Sequence, residues 1–109
     1  MSILFGNKGE KRAANFLSKK GYKLLAKNYR CKYGEIDIIM EQGETLVFIE
    51  VKARSSAKYG LGYESVTASK QEKLLKTAQT YMVEKGERPA RFDVVSIDGD
   101  EITHIENAF

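Results

Sequence analysis

Between Glu35 and Lys52 the chain carries two runs rich in Ile, Val and Phe, Glu35 to Glu41 and Thr45 to Lys52, on either side of Gln42-Gly43. Two β-forming runs joined by a short glycine-containing turn predict a β-hairpin, and the rest of the chain has to be arranged around it. Upstream, Asn7 and Glu10 have the spacing of a capping box, and Ala13, Ala14 and Leu17 recur at helical intervals. These predict a helix from Lys8 to Lys20 that Gly21 closes, followed by a partly exposed strand over Tyr22 to Tyr29.

Downstream, Ala53 to Val66 is loop-like, and Ser69 with Glu72 forms a second capping signature. The helix it starts runs to about Glu84, with Leu74, Leu75, Ala78 and Met82 on its apolar face, and Gly86 and Pro89 end it. Strands over Arg91 to Ile97 and Glu101 to Ile105 follow, turning at Asp98-Gly99. A long helix between the Thr45 and Arg91 strands is a crossover, which makes those two strands parallel. The expected fold class is α/β, a mixed sheet flanked by helices.

With 109 residues, 42% hydrophobic and 30% charged, the chain suits one globular domain over residues 1–109. Cys31 is the sole cysteine, which excludes an internal disulfide and a cysteine-rich zinc cluster. No apolar run approaches the roughly 18 residues of a membrane span, so a cytoplasmic protein with no membrane partner is expected. The net charge of +3 divides unevenly: residues 1–34 carry nine Lys or Arg against Glu10 alone, and residues 35–109 carry nine against fourteen acids. A basic third on an otherwise acidic chain suggests a surface that meets a polyanion.

Side chains alternate along a strand, so Glu35 and Asp37 share one face, as do Glu50 and Lys52. Closing the hairpin at Gln42-Gly43 places Glu35 opposite Glu50 and Asp37 opposite Phe48. Asp37 and Glu50 then become diagonal neighbours about 7–8 Å apart, close enough to share one hard divalent cation. A lone buried carboxylate inside Leu-Val-Phe-Ile-Glu-Val-Lys would cost several kcal/mol, a penalty that Mg²⁺ or Mn²⁺ removes. Asp37 and Glu50 would ligate the ion, and Lys52 would position or deprotonate the attacking water. The competing reading makes Glu50 and Lys52 a strand end emerging into solvent, with an ion pair worth under about 1 kcal/mol.

Glu10 also has two readings: the acceptor half of the cap at Asn7, or a carboxylate on the inward stripe with Ala13, Ala14 and Leu17 that reaches the sheet. Gln71 precedes Leu74 and Leu75 by one helical turn and points along the buried face, with Lys70 beside it. His104 has no assigned role, and Asp93 reads as half of a strand-end ion pair.

The segments Gly9-Glu10, Asn28-Tyr29-Arg30, Gly34-Glu35-Ile36-Asp37, Val47 to Lys52 with Arg54, Val66 with Lys70-Gln71, and Arg91 to Val94 resemble the bacterial YraN family over essentially the whole chain. That family is similar to archaeal Holliday-junction resolvases within the PD-(D/E)xK nuclease superfamily. The resemblance implies a restriction-endonuclease-like αβββαβ core, with the superfamily pattern on Asp37, Glu50 and Lys52 and the helix-one glutamate on Glu10. Gln71 or Lys70 would take the auxiliary position of the second helix. It further implies a Mg²⁺- or Mn²⁺-dependent endonuclease acting on branched or structured DNA, as a two-fold homodimer. Lys8, Arg30, Lys32, Arg54, Lys58 and Lys70 would contact the phosphates, with Tyr22, Tyr29 and Tyr33 interleaved. The alternative is a binding module that keeps the fold and does not hydrolyse.

Overall fold

A computed structural model describes residues 8–54 and 66–109. The elements are α1 (Lys8–Lys19), β1 (Lys23–Cys31), β2 (Gly34–Gln42), β3 (Thr45–Arg54), α2 (Ala68–Lys85), β4 (Ala90–Asp98) and β5 (Glu101–Ile105). This is the expected αβββαβ order with one further strand. The five strands form a single sheet in chain order. β3 and β4 pair in parallel, as the α2 crossover requires, and the other neighbours are antiparallel.

Both glycine turns sit one residue later than the sequence suggests. Gln42 pairs with Thr45 and Asp98 with Glu101, so the loops are Gly43-Glu44 and Gly99-Asp100. Each glycine takes the first loop position at φ +60° or +62°, the left-handed backbone that glycine adopts at least cost. The hairpin register therefore shifts by two residues. A shift of two preserves which face each side chain occupies, whereas a shift of one would have inverted it.

The sheet is covered on both faces. On one, Ala13, Ala14 and Leu17 of α1 pack against Ile38, Met40, Val47, Ile49, Val95 and Ile97. On the other, Leu74, Ala78 and Tyr81 of α2 pack against Ile39, Leu46, Phe48 and Val94. Each fully buried large aliphatic or aromatic side chain contributes about 1.5–3 kcal/mol, so these two layers dominate stability.

The inward stripe of α2 is Leu74, Thr77, Ala78 and Tyr81, spaced i, i+3, i+4 and i+7. Leu75, expected on it, is instead 48% exposed. Thr77 is tolerated inside because its hydroxyl donates to the Lys73 carbonyl at 2.8 Å. The helix is capped by Thr67, whose hydroxyl accepts from Lys70 N, rather than by Ser69. The Asn7 half of the first capping box lies outside the described residues.

Candidate functional site

β2 and β3 stay hydrogen-bonded from the turn as far as Ile38 and Ile49. The next pair in that register would be Asp37 and Glu50, and here the ladder gives way to a side chain: Asp37 Oδ2 accepts from Val51 N at 2.8 Å. Asp37 and Glu50 are thus opposite one another, not diagonal as the earlier turn would have placed them. Strict alternation also breaks at Asp37, since Ile36 packs in the α2 layer whereas Ile38 and Met40 pack in the α1 layer. Across on β1, the register passes from Lys27↔Ile38 to Tyr29↔Ile36 and skips Asn28, which is left-handed at φ +49°. The sheet is irregular on both sides of the carboxylate that the sequence singled out.

This irregularity opens onto a cavity of about 480 Å³ lined by Lys8, Gly9 and Glu10 of α1, Asp37 of β2, and Glu50 and Val51 of β3. Glu10 and Glu50 are buried, at 6% and 8% exposure. Asn28 Nδ2 donates to both oxygens of Glu10 at 3.1 and 3.2 Å, which turns the Glu10 carboxylate toward the sheet. Burial, with the charge of Glu50 beside it, pushes the Asp37 carboxyl up to about 7. Three carboxylates around one cavity supply the oxygen chemistry that Mg²⁺ or Mn²⁺ takes, although among the described residues only Asp93, His104 and Glu106 bring three ligand atoms within 4.8 Å of one another.

Two lysines stand at the rim. Lys70 Nζ lies 3.3 Å from Glu50 Oε1. Burial, and then contact with Lys70, lowers the pKa of Lys52. Burial works against the charge on Lys70 as well, but Lys52 and Glu50 outweigh it and its pKa is raised. Lys70 is therefore the more firmly charged of the two, and Lys52 the more readily neutral.

Gln71 is elsewhere. Its amide donates to the Val66 carbonyl at 3.1 Å, and it borders a separate groove with Leu75, Phe92 and Phe109. Of the two candidates for the auxiliary position, Lys70 is the one that reaches the carboxylates. Lys8 lines the cavity, Arg30 is ion-paired to Glu35, and Lys32 lies beside Tyr33 in the β1–β2 turn. Lys58 and the Arg54 side chain lie outside the described residues. The Tyr22 and Tyr29 hydroxyls each donate to a carboxylate, Glu106 and Glu84 respectively.

Asn28 is the site residue that sequence reasoning passed over. It stood in the quoted Asn28-Tyr29-Arg30 segment without a role, and an Asn able to hold the left-handed conformation was the one local signal. A second acidic cluster was foreseen only in its Asp93 ion pair. Asp93, fully buried, accepts from Arg91 at 3.0 Å and from Asn107 N at 2.9 Å, and its other oxygen lies 2.7 Å from His104 Nε2. The expected Asp93 ion pair is present, and His104 is packed.

Fold and site together define a small mixed αβ domain whose central hairpin opens onto a buried carboxylate cavity with lysines at its rim. Residues 9–97 match the model of the Uncharacterised protein family UPF0102, and the chain belongs to that family, in agreement with the YraN resemblance. It is 51% identical to a UPF0102 protein of Thermodesulfovibrio yellowstonii, with 98% of this chain and 96% of that one aligned. A UPF0102 protein of Nitrosomonas europaea is 49% identical, with 95% and 94% aligned. One from Sulfurihydrogenibium is 48% identical, with 92% and 89% aligned. No described helix is long and apolar enough to cross a membrane.

Proposed function

We propose that this protein is a metal-dependent endonuclease that hydrolyses phosphodiester bonds in branched or structured DNA, with Asp37, Glu50 and Glu10 holding Mg²⁺ or Mn²⁺. One observation carries the reading: three carboxylates converge on one cavity, and Asp37 is pushed up to about 7 by burial and by the charge of Glu50. Such an arrangement is unfavourable to the isolated chain and becomes favourable once a cation binds between the acids. The bound ion would supply Lewis-acid polarisation of the phosphoryl oxygen and a more acidic water.

The chain's own residues do the rest. Asn28 holds Glu10 in orientation from β1. Lys52, with its lowered pKa, is present as the neutral amine, the form able to take a proton from the attacking water, in a larger fraction than an ordinary lysine. Lys70 stays charged and offsets negative charge as it develops on the phosphate. Lys8 borders the same cavity and adds positive charge on the α1 side. Action as a homodimer in the cytoplasm belongs to the same proposal.

A second reading has its own support. Lys70 already places an ammonium 3.3 Å from Glu50, so part of the acidic charge is neutralised from within, as suits a module that binds nucleic acid without cutting it. Incubation with labelled linear, flapped and four-way-junction DNA, in Mg²⁺, Mn²⁺ or chelator, separates the two. Metal-dependent cleavage lost in Asp37→Ala supports the nuclease. Salt-sensitive binding by both proteins without cleavage supports the binding module.

A further inference from the structure

Three two-residue hairpin turns join strands of the sheet, and they are not built alike. Gly43-Glu44 and Gly99-Asp100 each begin with a glycine at positive φ, the chemistry such a turn favours. The β1–β2 turn, closed by the Cys31↔Gly34 pair, consists of Lys32 and Tyr33, and neither has a positive φ. Turn geometry therefore does not account for a tyrosine at this tip.

The tip does not project freely into solvent. A Cβ at Gly34 would lie 3.5 Å from Thr77 Oγ1 and 3.8 Å from Lys73 Cβ, and Cys31 Sγ contacts Thr77 Oγ1 at 3.7 Å, so the tip is docked against α2. Docking creates an open cavity of about 300 Å³ bordered by Lys32, Tyr33, Lys73 and Lys76. Tyr33 is 39% exposed, with Lys32 Nζ 5.2 Å and Lys76 Nζ 5.7 Å from its ring centroid. Glu72, also on the rim, is paired with Lys76 at 3.1 Å, which leaves Lys32 and Lys73 as the excess positive charge.

We propose that Tyr33, with Lys32, Lys73 and Lys76, forms a stacking platform for an unpaired base of a DNA strand, its phosphates held by the lysines. An exposed aromatic ring ringed by cations is the combination that binds single strands with little regard to sequence. The lysines over the ring do not prevent it. A cation–π contact at an exposed site is worth about 0.5–1 kcal/mol, whereas stacking of a base is worth about 1–3 kcal/mol, and a displaced ammonium gains a phosphate. Lys73 and Lys76 lie about 4.5 and 9 Å along the helix axis from Lys70, which reaches Glu50. The platform is thus one to two helical turns from the carboxylate cavity. This inference rests on the nuclease reading for its biological sense: it makes the preferred substrate one with single-stranded DNA beside the bond that is cut.

The test is binding in chelator, which does not depend on cleavage. The full chain is titrated into a single-stranded DNA oligonucleotide carrying 2-aminopurine, and into a duplex of the same sequence. Tyr33→Ala is expected to weaken single-strand binding about 5- to 100-fold and to abolish the stacking-induced fluorescence change, with duplex binding unchanged. Tyr33→Phe, which keeps the ring, should stay within about twofold of the parent. Lys73→Ala should reduce the slope of log affinity against log salt by about 0.7. Equal single-strand affinity for the parent and Tyr33→Ala, or equal losses on single strand and duplex, overturns the platform. If the parent cuts flapped DNA in Mg²⁺ while Tyr33→Ala binds single strands as the parent does, the platform falls and the nuclease stands. The expected binding pattern without cleavage upholds the platform and removes the nuclease alone.

Discussion

Two buried acidic clusters lie in this small molecule, and they are opposites. Around Asp93, cations and donors are built into the chain: Arg91 bridges Asp93, Glu106 and the Tyr22 hydroxyl, and His104 completes the set. Asp93 is held below the usual carboxylate range: burial opposes this, but the bonds from His104, Arg91 and Asn107 N outweigh it. Around Asp37, Glu50 stands beside the acid with Lys70 paired to Glu50, and burial together with the charge of Glu50 pushes Asp37 up. Oxygen and nitrogen atoms of Asp93, His104 and Glu106 lie within 4.8 Å of one another, a spacing a metal could use. The bonds from Arg91 to Asp93 and Glu106, with those from His104 and Asn107 N to Asp93, make that cluster a clasp between β4, β5 and the chain beyond β5. Proximity of donors does not distinguish a metal centre from a clasp; among the described residues the difference is that Arg91 bonds Asp93 directly, whereas Lys70 reaches Glu50 and not Asp37.

The two clusters should respond to mutation in opposite senses. Asp37→Ala is expected to lower metal-dependent cleavage by about 10³-fold or more. In chelator the same variant should be no less stable than the parent, because it relieves repulsion with Glu50. Asp93→Ala should cost about 3–5 kcal/mol in denaturant unfolding, since it removes the buried carboxylate on which Arg91, His104 and Asn107 N converge. Equal destabilisation by both variants would erase the contrast.

Saturating Mg²⁺ or Mn²⁺, at about 100 times its dissociation constant, should stabilise the parent by about 2.7 kcal/mol and Asp37→Asn hardly at all. Acidity should separate the clusters as well. Asp37 has a folded pKa of about 7, above its ordinary 3.8. In chelator its contribution to stability is present below about pH 4 and lost as pH rises through 7. Asp93 is lowered, so its contribution is present above pH 4 and lost as pH falls through its folded value. Parent and Asp37→Asn should therefore diverge in unfolding midpoint between pH 4 and 7, and a constant difference across that range contradicts this. The smallest effect is expected from Asn28→Ala: about a tenfold loss of cleavage with the metal-free fold retained, measured in single turnover.

Much of this was legible from local sequence. The element order and the parallel crossover follow from periodicity, and Asp37 and Glu50 border one cavity even though the register was misjudged by two residues and alternation breaks at Asp37. The error arose from treating Gly43 as the second loop residue when its backbone requires the first place. The α2 stripe was misjudged because Thr77 and Tyr81 are buried there, and a hydropathy pattern does not credit a threonine that satisfies itself on its own helix. The Asn28–Glu10 contact spans 18 residues and Tyr22–Arg91 spans 69, and no local pattern encodes such pairings.

The central claim is that, among the described residues, Asp93 is bonded directly by an internal cation, Arg91, whereas at the other cluster Lys70 reaches Glu50 and the bond to Asp37 comes from Val51 N. Calorimetric titration of Mn²⁺ at pH 6.5 tests it most directly, on the parent, on Asp37→Asn, and on Glu106→Gln, which alters the clasp at an exposed position. The account predicts one site in the parent and in Glu106→Gln, with proton release as Asp37 ionises, and no binding in Asp37→Asn. Binding that persists in Asp37→Asn and disappears in Glu106→Gln would contradict it and move the metal to the other cluster.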